Sequence, residues 1–126
     1  YTLSHKAIEI TNSNISNTTR KKLLRYAALD KDTNKYNISA FLIAQFGKNN
    51  AVPKKYSITG NELMDLTFEL LKHVQYCVGV GVVYLDCENV VKVLDFYQNG
   101  CNRFKIFGER ESDVDQKRYL QLLRFF

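Results

Sequence analysis

Histidine and cysteine are scarce in this sequence. In 126 residues there are two histidines, His5 and His73, and three cysteines, Cys77, Cys87 and Cys101. No CxxC pair occurs, so a metal cluster has nothing to rest on and no metal is expected. A cysteine nucleophile would also want a histidine placed to activate it, and the chain offers little choice of partner. An odd cysteine count without a disulfide spacing suits a reduced, cytoplasmic protein. The single proline, Pro53, and only six glycines exclude collagenous and low-complexity classes. No run of about 18 apolar residues exists, so no transmembrane helix and no membrane partner are expected. The first ten residues, YTLSHKAIEI, are alternating and polar, without the apolar stretch of a signal peptide.

What is present is enough for a core. Hydrophobic residues make up 45% of the chain and aromatics 13%, which excludes global disorder. The length fits one domain over residues 1–126. The formal net charge is +5, unevenly placed: residues 1–56 hold ten Lys/Arg against three Asp/Glu, and residues 57–126 hold eight against ten. The basic half gathers Arg20, Lys21, Lys22, Arg25, Lys31 and Lys35, with a second group at Lys48, Lys54 and Lys55. Such a field favours a phosphate-bearing cofactor, RNA or an anionic surface, and is equally the mark of a solvated face.

Periodicity divides the chain into elements. Residues 1–10 read as a strand, 20–29 as a short amphipathic helix with Leu23, Leu24, Ala27 and Ala28 on one side, and Ile38–Phe46 as a buried strand. The clearest helix opens at Thr59-Gly60-Asn61-Glu62, a capping box in which Thr59 and Glu62 satisfy each other's backbone N–H groups. Its apolar stripe reads Leu63, Leu66, Leu70 and Val74, widened by Met64, Phe68 and Leu71, and it ends near Tyr76. Val78–Leu85 is apolar throughout, a strand covered on both faces. A helix over 88–99 follows, opened by acidic residues and closed by Gly100; then a strand over 103–107, an acidic loop over 108–116 and a last strand over 117–126. The segment Ile38–Leu85 is therefore a βαβ unit whose two strands should lie parallel. The fold class is α/β with a mixed sheet.

A strand–loop–helix of this kind builds an anion site from the free N–H groups of the helix start. Here the loop supplies Lys54, Lys55, Ser57, Ile58, Thr59 and Gly60, with Gly60 permitting close approach to the backbone. The pattern is neither GxxxxGK[ST] nor GxGxxG, and a basic loop leading into a capped helix explains it equally well.

Longer segments extend the comparison. VLDFYQNGCNRF resembles the FYxxxGF segment of GNAT-family N-acetyltransferases, and YTLSHKAIEI resembles the YTLS strand of the bacterial subgroup that includes GNAT toxins. AFLIAQFGKN is similar to the family's fourth strand, KYSITGNELM falls where the family has Q/R-x-x-G-x-G/A, and KRYLQLLRFF is similar to its last strand. The resemblance implies a GNAT-like, mostly antiparallel twisted sheet flanked by helices. It also implies a strand, two helices and a strand ahead of YTLS, so an N-terminally truncated version of the fold is expected. In the phosphate motif Lys55 takes the Gln/Arg place and Ile58 replaces the first glycine; after the helix, Gly100-Cys101 stands for Gly-Phe.

By this resemblance the reaction is direct attack of a primary amine on the thioester of acetyl-CoA, the cosubstrate. Tyr97 matches the tyrosine near the CoA sulfur and is the expected general acid. Phe46, Gly47 and Lys48 match the strand that pairs with the pantetheine arm, and Lys55, Ser57, Ile58, Thr59, Gly60 and Asn61 match the pyrophosphate loop. No general base stands out; Gln45, Glu62 and Tyr84 read better as structural. The acceptor stays open among aminoacyl-tRNA, a small molecule and a protein amine. The alternatives are a non-catalytic binding module that keeps the fold and covers its sheet edges as a homodimer, and a small RNA-binding domain.

Overall fold

The computed structural model describes residues 2–44, 46, 58–99, 102–114 and 116–126. The elements are β1 (Thr2–Thr11), α1 (Asn17–Leu23), β2 (Leu29–Asp30), β3 (Lys35–Ala44), α2 (Gly60–Val78), β4 (Val82–Glu88), α3 (Val91–Gln98), β5 (Lys105–Glu111) and β6 (Arg118–Phe125). A short 3-10 turn, Asn12–Asn14, links β1 to α1. The sheet runs β1-β3-β4-β6-β5, with β2 added beside β3. β3 and β4 are parallel, as the βαβ reading requires, and every other pairing among the described residues is antiparallel. The result is a mixed, mostly antiparallel sheet flanked by helices.

Strand alternation assigns the two faces. Val83, Leu85 and Cys87 of β4 meet Met64, Phe68 and Leu71 of α2 and Tyr97 of α3. Val82 and Tyr84 point the other way, into a cluster with Ile10, Tyr36, Ile38 and Leu23 of α1. β4 is thus covered on both faces, which is why it is apolar at nearly every position.

Several boundaries differ from the sequence expectation, each for a local reason. α1 begins at Asn17 because Ser16 caps it, its Oγ accepting from the Thr19 N–H at 3.3 Å. Leu23 is buried and Ala27 packs beneath it, but Leu24 and Ala28 face solvent. α2 continues to Val78 and stops at Gly79, whose φ of +75° is cheap only for glycine. The strand after it consequently starts at Val82 rather than Val78. On α2 the buried side chains are Met64, Thr67, Phe68 and Leu71, while Leu66 and Leu70 face outward. α3 starts at Val91, without acidic residues in its first turn. β5 extends through Glu111, using charged residues that suit an edge strand. The Gly100 stop signal lies outside the described residues.

Candidate functional site

The parallel pair opens a cleft. β3 and β4 pair at Phe41↔Val83 and Leu42↔Tyr84, and there the pairing among the described residues ends, although β3 runs on to Ala44 and β4 to Glu88. The strands part around a cavity of about 660 Å³ lined by Ile43, Ala44 and Phe46 on one side and Leu85, Asp86 and Cys87 on the other. Tyr97 lines it from α3, Arg110 from the edge strand β5 and Tyr119 from β6. Crevices at the C-terminal ends of parallel strands are where open α/β sheets take ligands. The two facing strand edges offer main-chain donors and acceptors to an extended, amide-bearing guest.

Tyr97 is 8% exposed and sits in an aromatic cage. Its ring centroid lies 5.1 Å from Phe96, 5.9 Å from Phe104 and 6.2 Å from Phe46. Burial, with a smaller contribution from the nearby Cys87, pushes the Tyr97 phenol up to about 12. It remains a protonated donor at any ordinary pH. The Cys87 thiol is raised by burial and then by the Asp86 charge, which keeps it in its unreactive form.

Asp86 was not among the expected site residues. Its Oδ2 accepts from Arg110 Nε at 2.6 Å, and this hydrogen bond holds the guanidinium in its charged form. Its Oδ1 is buried and has no hydrogen-bond partner among the described residues. A buried carboxylate oxygen without a donor is costly, so this atom marks where a ligand's N–H would be welcome. Arg110 in turn lies over the Tyr119 ring at 5.4 Å.

The start of α2 has the expected capping box: Glu62 N–H donates to Thr59 Oγ1 at 3.1 Å, and Thr59 N–H to Glu62 Oε2 at 3.3 Å. The bare Cα of Gly60 faces Phe96, whose Cε2 would lie 3.0 Å from an added Cβ. Gly60 therefore admits α3 against the first turn of α2. Asn61 is tied down as well, its Oδ1 accepting from Asn102 Nδ2 at 3.4 Å, and the same amide of buried Asn102 donates to Phe96 O at 2.6 Å. Ile58 is partly exposed just ahead of the cap. Phe46 stacks on Phe96 at 5.9 Å and joins the Tyr97 cage.

The structure thus brings Phe46 and Tyr97 together at the cleft and sets Thr59, Gly60 and Asn61 at the adjoining helix start. Gly47, Lys48, Lys54, Lys55 and Ser57, and Gln45 with them, lie outside the described residues. Tyr84 belongs to the opposite face, packed on Phe107, and Glu62 serves the cap. Among the described residues no three His, Cys, Asp or Glu side chains gather as metal ligands, and no helix is long and apolar enough to cross a membrane. Comparison with protein-family models, with curated proteins and with solved structures found no match to this chain, so only the mixed α/β architecture is established.

Proposed function

We propose that the chain is an acetyl-CoA-dependent N-acetyltransferase acting on a primary amine. The observation that carries this reading is the cleft where β3 and β4 part with Tyr97 at its wall. It occupies the place that the GNAT resemblance assigns to the cofactor arm, at the end of the strand read as the family's fourth. When bound, acetyl-CoA would supply an activated acyl carbon, its thiolate leaving as the amine nitrogen forms the new amide bond. The facing edges of β3 and β4 would hold the amides of the pantetheine arm, and the capped start of α2 would face its phosphates.

Tyr97 would donate a hydrogen bond to the departing sulfur. Its phenol, at about 12, holds its proton more tightly than a thiol of pKa near 8.5. It therefore stabilises the thiolate by donation rather than by complete transfer, and the proton lost from nitrogen balances the thiolate. Asp86, on the Tyr84 face of β4, would accept at Oδ1 an N–H of an amine that enters the gap from the side of the sheet opposite Tyr97.

Calorimetric titration with acetyl-CoA tests the reading. Saturable binding that CoA displaces supports it, and a folded chain that binds neither overturns it. Tyr97→Phe should lower kcat on the order of 10- to 100-fold while changing acetyl-CoA affinity less than about twofold. Unchanged turnover would remove Tyr97 from the mechanism.

A further inference from the structure

A second concavity lies at the other end of β6. Tyr119 pairs with Glu88 at the end of β4 and Phe125 with Val82 at its start. The two ends are therefore separated by roughly 20 Å of strand. At the Phe125 end, Lys22, Arg25, Arg103 and Lys105 line a pocket of about 420 Å³ to which no Asp or Glu side chain contributes; Arg124 borders it too, but its guanidinium lies 4.0 Å over the Phe68 ring. Three distant segments converge to build it: α1 with the turn after it, the entry to β5 and the end of β6. Among the described residues no carboxylate pairs with Lys22, Arg25, Arg103 or Lys105. Like charges gathered in one concavity repel one another and focus a field that an anion relieves.

Arg103 is held there with a φ of 53°, an uncommon conformation for a residue with a side chain. Its neighbours fix it: Asn102 is bonded to Phe96 O, and Phe104 N–H donates to Tyr97 O at 2.9 Å. Tyr26 completes the pocket with a flat aromatic surface. It stacks on Phe125 at 6.4 Å with the rings 21° apart, and it stays 42% exposed. Gly81 is its seat, because a Cβ there would lie 2.1 Å from Tyr26 Cζ.

We propose that this pocket binds a nucleoside polyphosphate, its phosphates among Lys22, Arg25, Arg103 and Lys105 and its base against Tyr26. A compact ligand suits a pocket of this volume better than a long strand does, and two cations of the same basic half are held elsewhere. Arg20 is bonded to Asn12 and Asn17, and Lys35 is paired with Glu9. The pocket is also within the size range of small-molecule sites. This site is independent of the acetyl-CoA cleft.

Calorimetric titration of the intact chain with ATP and with inorganic triphosphate, near physiological salt, tests it. ATP should bind at one saturable site. The double variant Lys22→Gln, Arg25→Gln should weaken both ligands at least about tenfold, since each loses two charge-assisted hydrogen bonds. Tyr26→Ala should weaken ATP several-fold and leave triphosphate within about twofold. Lys117→Gln with Arg118→Gln, at the far end of β6, should change neither; a circular dichroism melt of each variant establishes that it is folded. Absence of saturable ATP binding overturns the proposal. So does ATP binding that is insensitive to Lys22→Gln, Arg25→Gln, or that acetyl-CoA displaces competitively, which would put ATP in the cleft. Single-stranded RNA binding far more tightly than ATP, with a steep salt dependence, would overturn it in favour of a nucleic-acid site.

Discussion

Tyr97 should leave a measurable signature in stability, apart from the turnover proposed for it. Its phenol titrates near 10 in the unfolded chain and at about 12 in the folded one. The folded state therefore holds the proton over a window in which the unfolded state has released it. Its contribution is complete below about pH 10 and is lost as pH rises through about 12. Tyr97→Phe should lessen this alkaline loss when urea midpoints are compared at about pH 9 and about pH 11. It will not abolish the loss, because burial and the Asp86 charge also raise Tyr84, with Arg110 opposing. An identical alkaline slope in both proteins would mean that Tyr97 titrates as a free phenol. Asp86 makes the complementary case. Asp86→Asn keeps the shape but removes the charge that would face the proposed amine. The expected outcome is an acceptor KM raised about tenfold with acetyl-CoA affinity unchanged, measured by steady-state kinetics and titration. A loss confined to acetyl-CoA binding would move Asp86 from the acceptor to the cofactor side of the cleft.

At the scale of elements, the packing of α2 decides which side chains matter. Leu71 is 1% exposed and Leu70 is 44% exposed, one residue apart on the same helix. Leu71→Ala should cost about 2–5 kcal/mol and Leu70→Ala less than about 1 kcal/mol, read from urea unfolding. Equal costs would refute the orientation of the helix. That orientation was hard to read because residues 63–74 contain more apolar side chains than one stripe needs. The Leu63/Leu66/Leu70/Val74 series and the true Met64/Phe68/Leu71 face both satisfy helical spacing. Thr67, the residue that would have separated them, is polar yet fully buried, because its hydroxyl donates to Leu63 O at 2.8 Å. By contrast, the start of α2 was legible from four residues, since a capping box is satisfied within its own turn. The parallel β3–β4 pair was equally legible, because a strand–helix–strand crossover leaves little topological choice. Gly79 and Gly81 lie in an apolar run that predicts strand, yet they are a helix stop and an aromatic seat; only the three-dimensional position of Tyr26 reveals the second role. The site divides in the same way. Phe46 and Tyr97 could be named from the segments that carry the resemblance. The Asp86–Arg110 pair could not, because those residues are 24 apart and meet only through the order β4-β6-β5.

For the whole molecule, half-chain charge was a poor guide to where charge acts. The first 56 residues carry the excess, yet two of the four cations in the basic pocket come from the second half: Arg103 and Lys105. Folding brings them to the end of the sheet away from the cleft, so the two proposed ligands would lie with the length of β4 and β6 between them. Stability linkage makes this separation testable. If the cleft takes acetyl-CoA as proposed, the ligand at about a hundred times its Kd should add about 2.7 kcal/mol to the folded state. For a chain of this length that amounts to a rise in Tm on the order of 10 °C. ATP bound in the basic pocket should add its own shift, and the two should sum within a few tenths of a kcal/mol because the sites share no side chain. Lys22→Gln with Arg25→Gln should remove the ATP increment and leave the acetyl-CoA increment intact, in a melt followed by scanning calorimetry. If each ligand instead suppresses the other's shift, they compete for one site, and the two-ended arrangement fails.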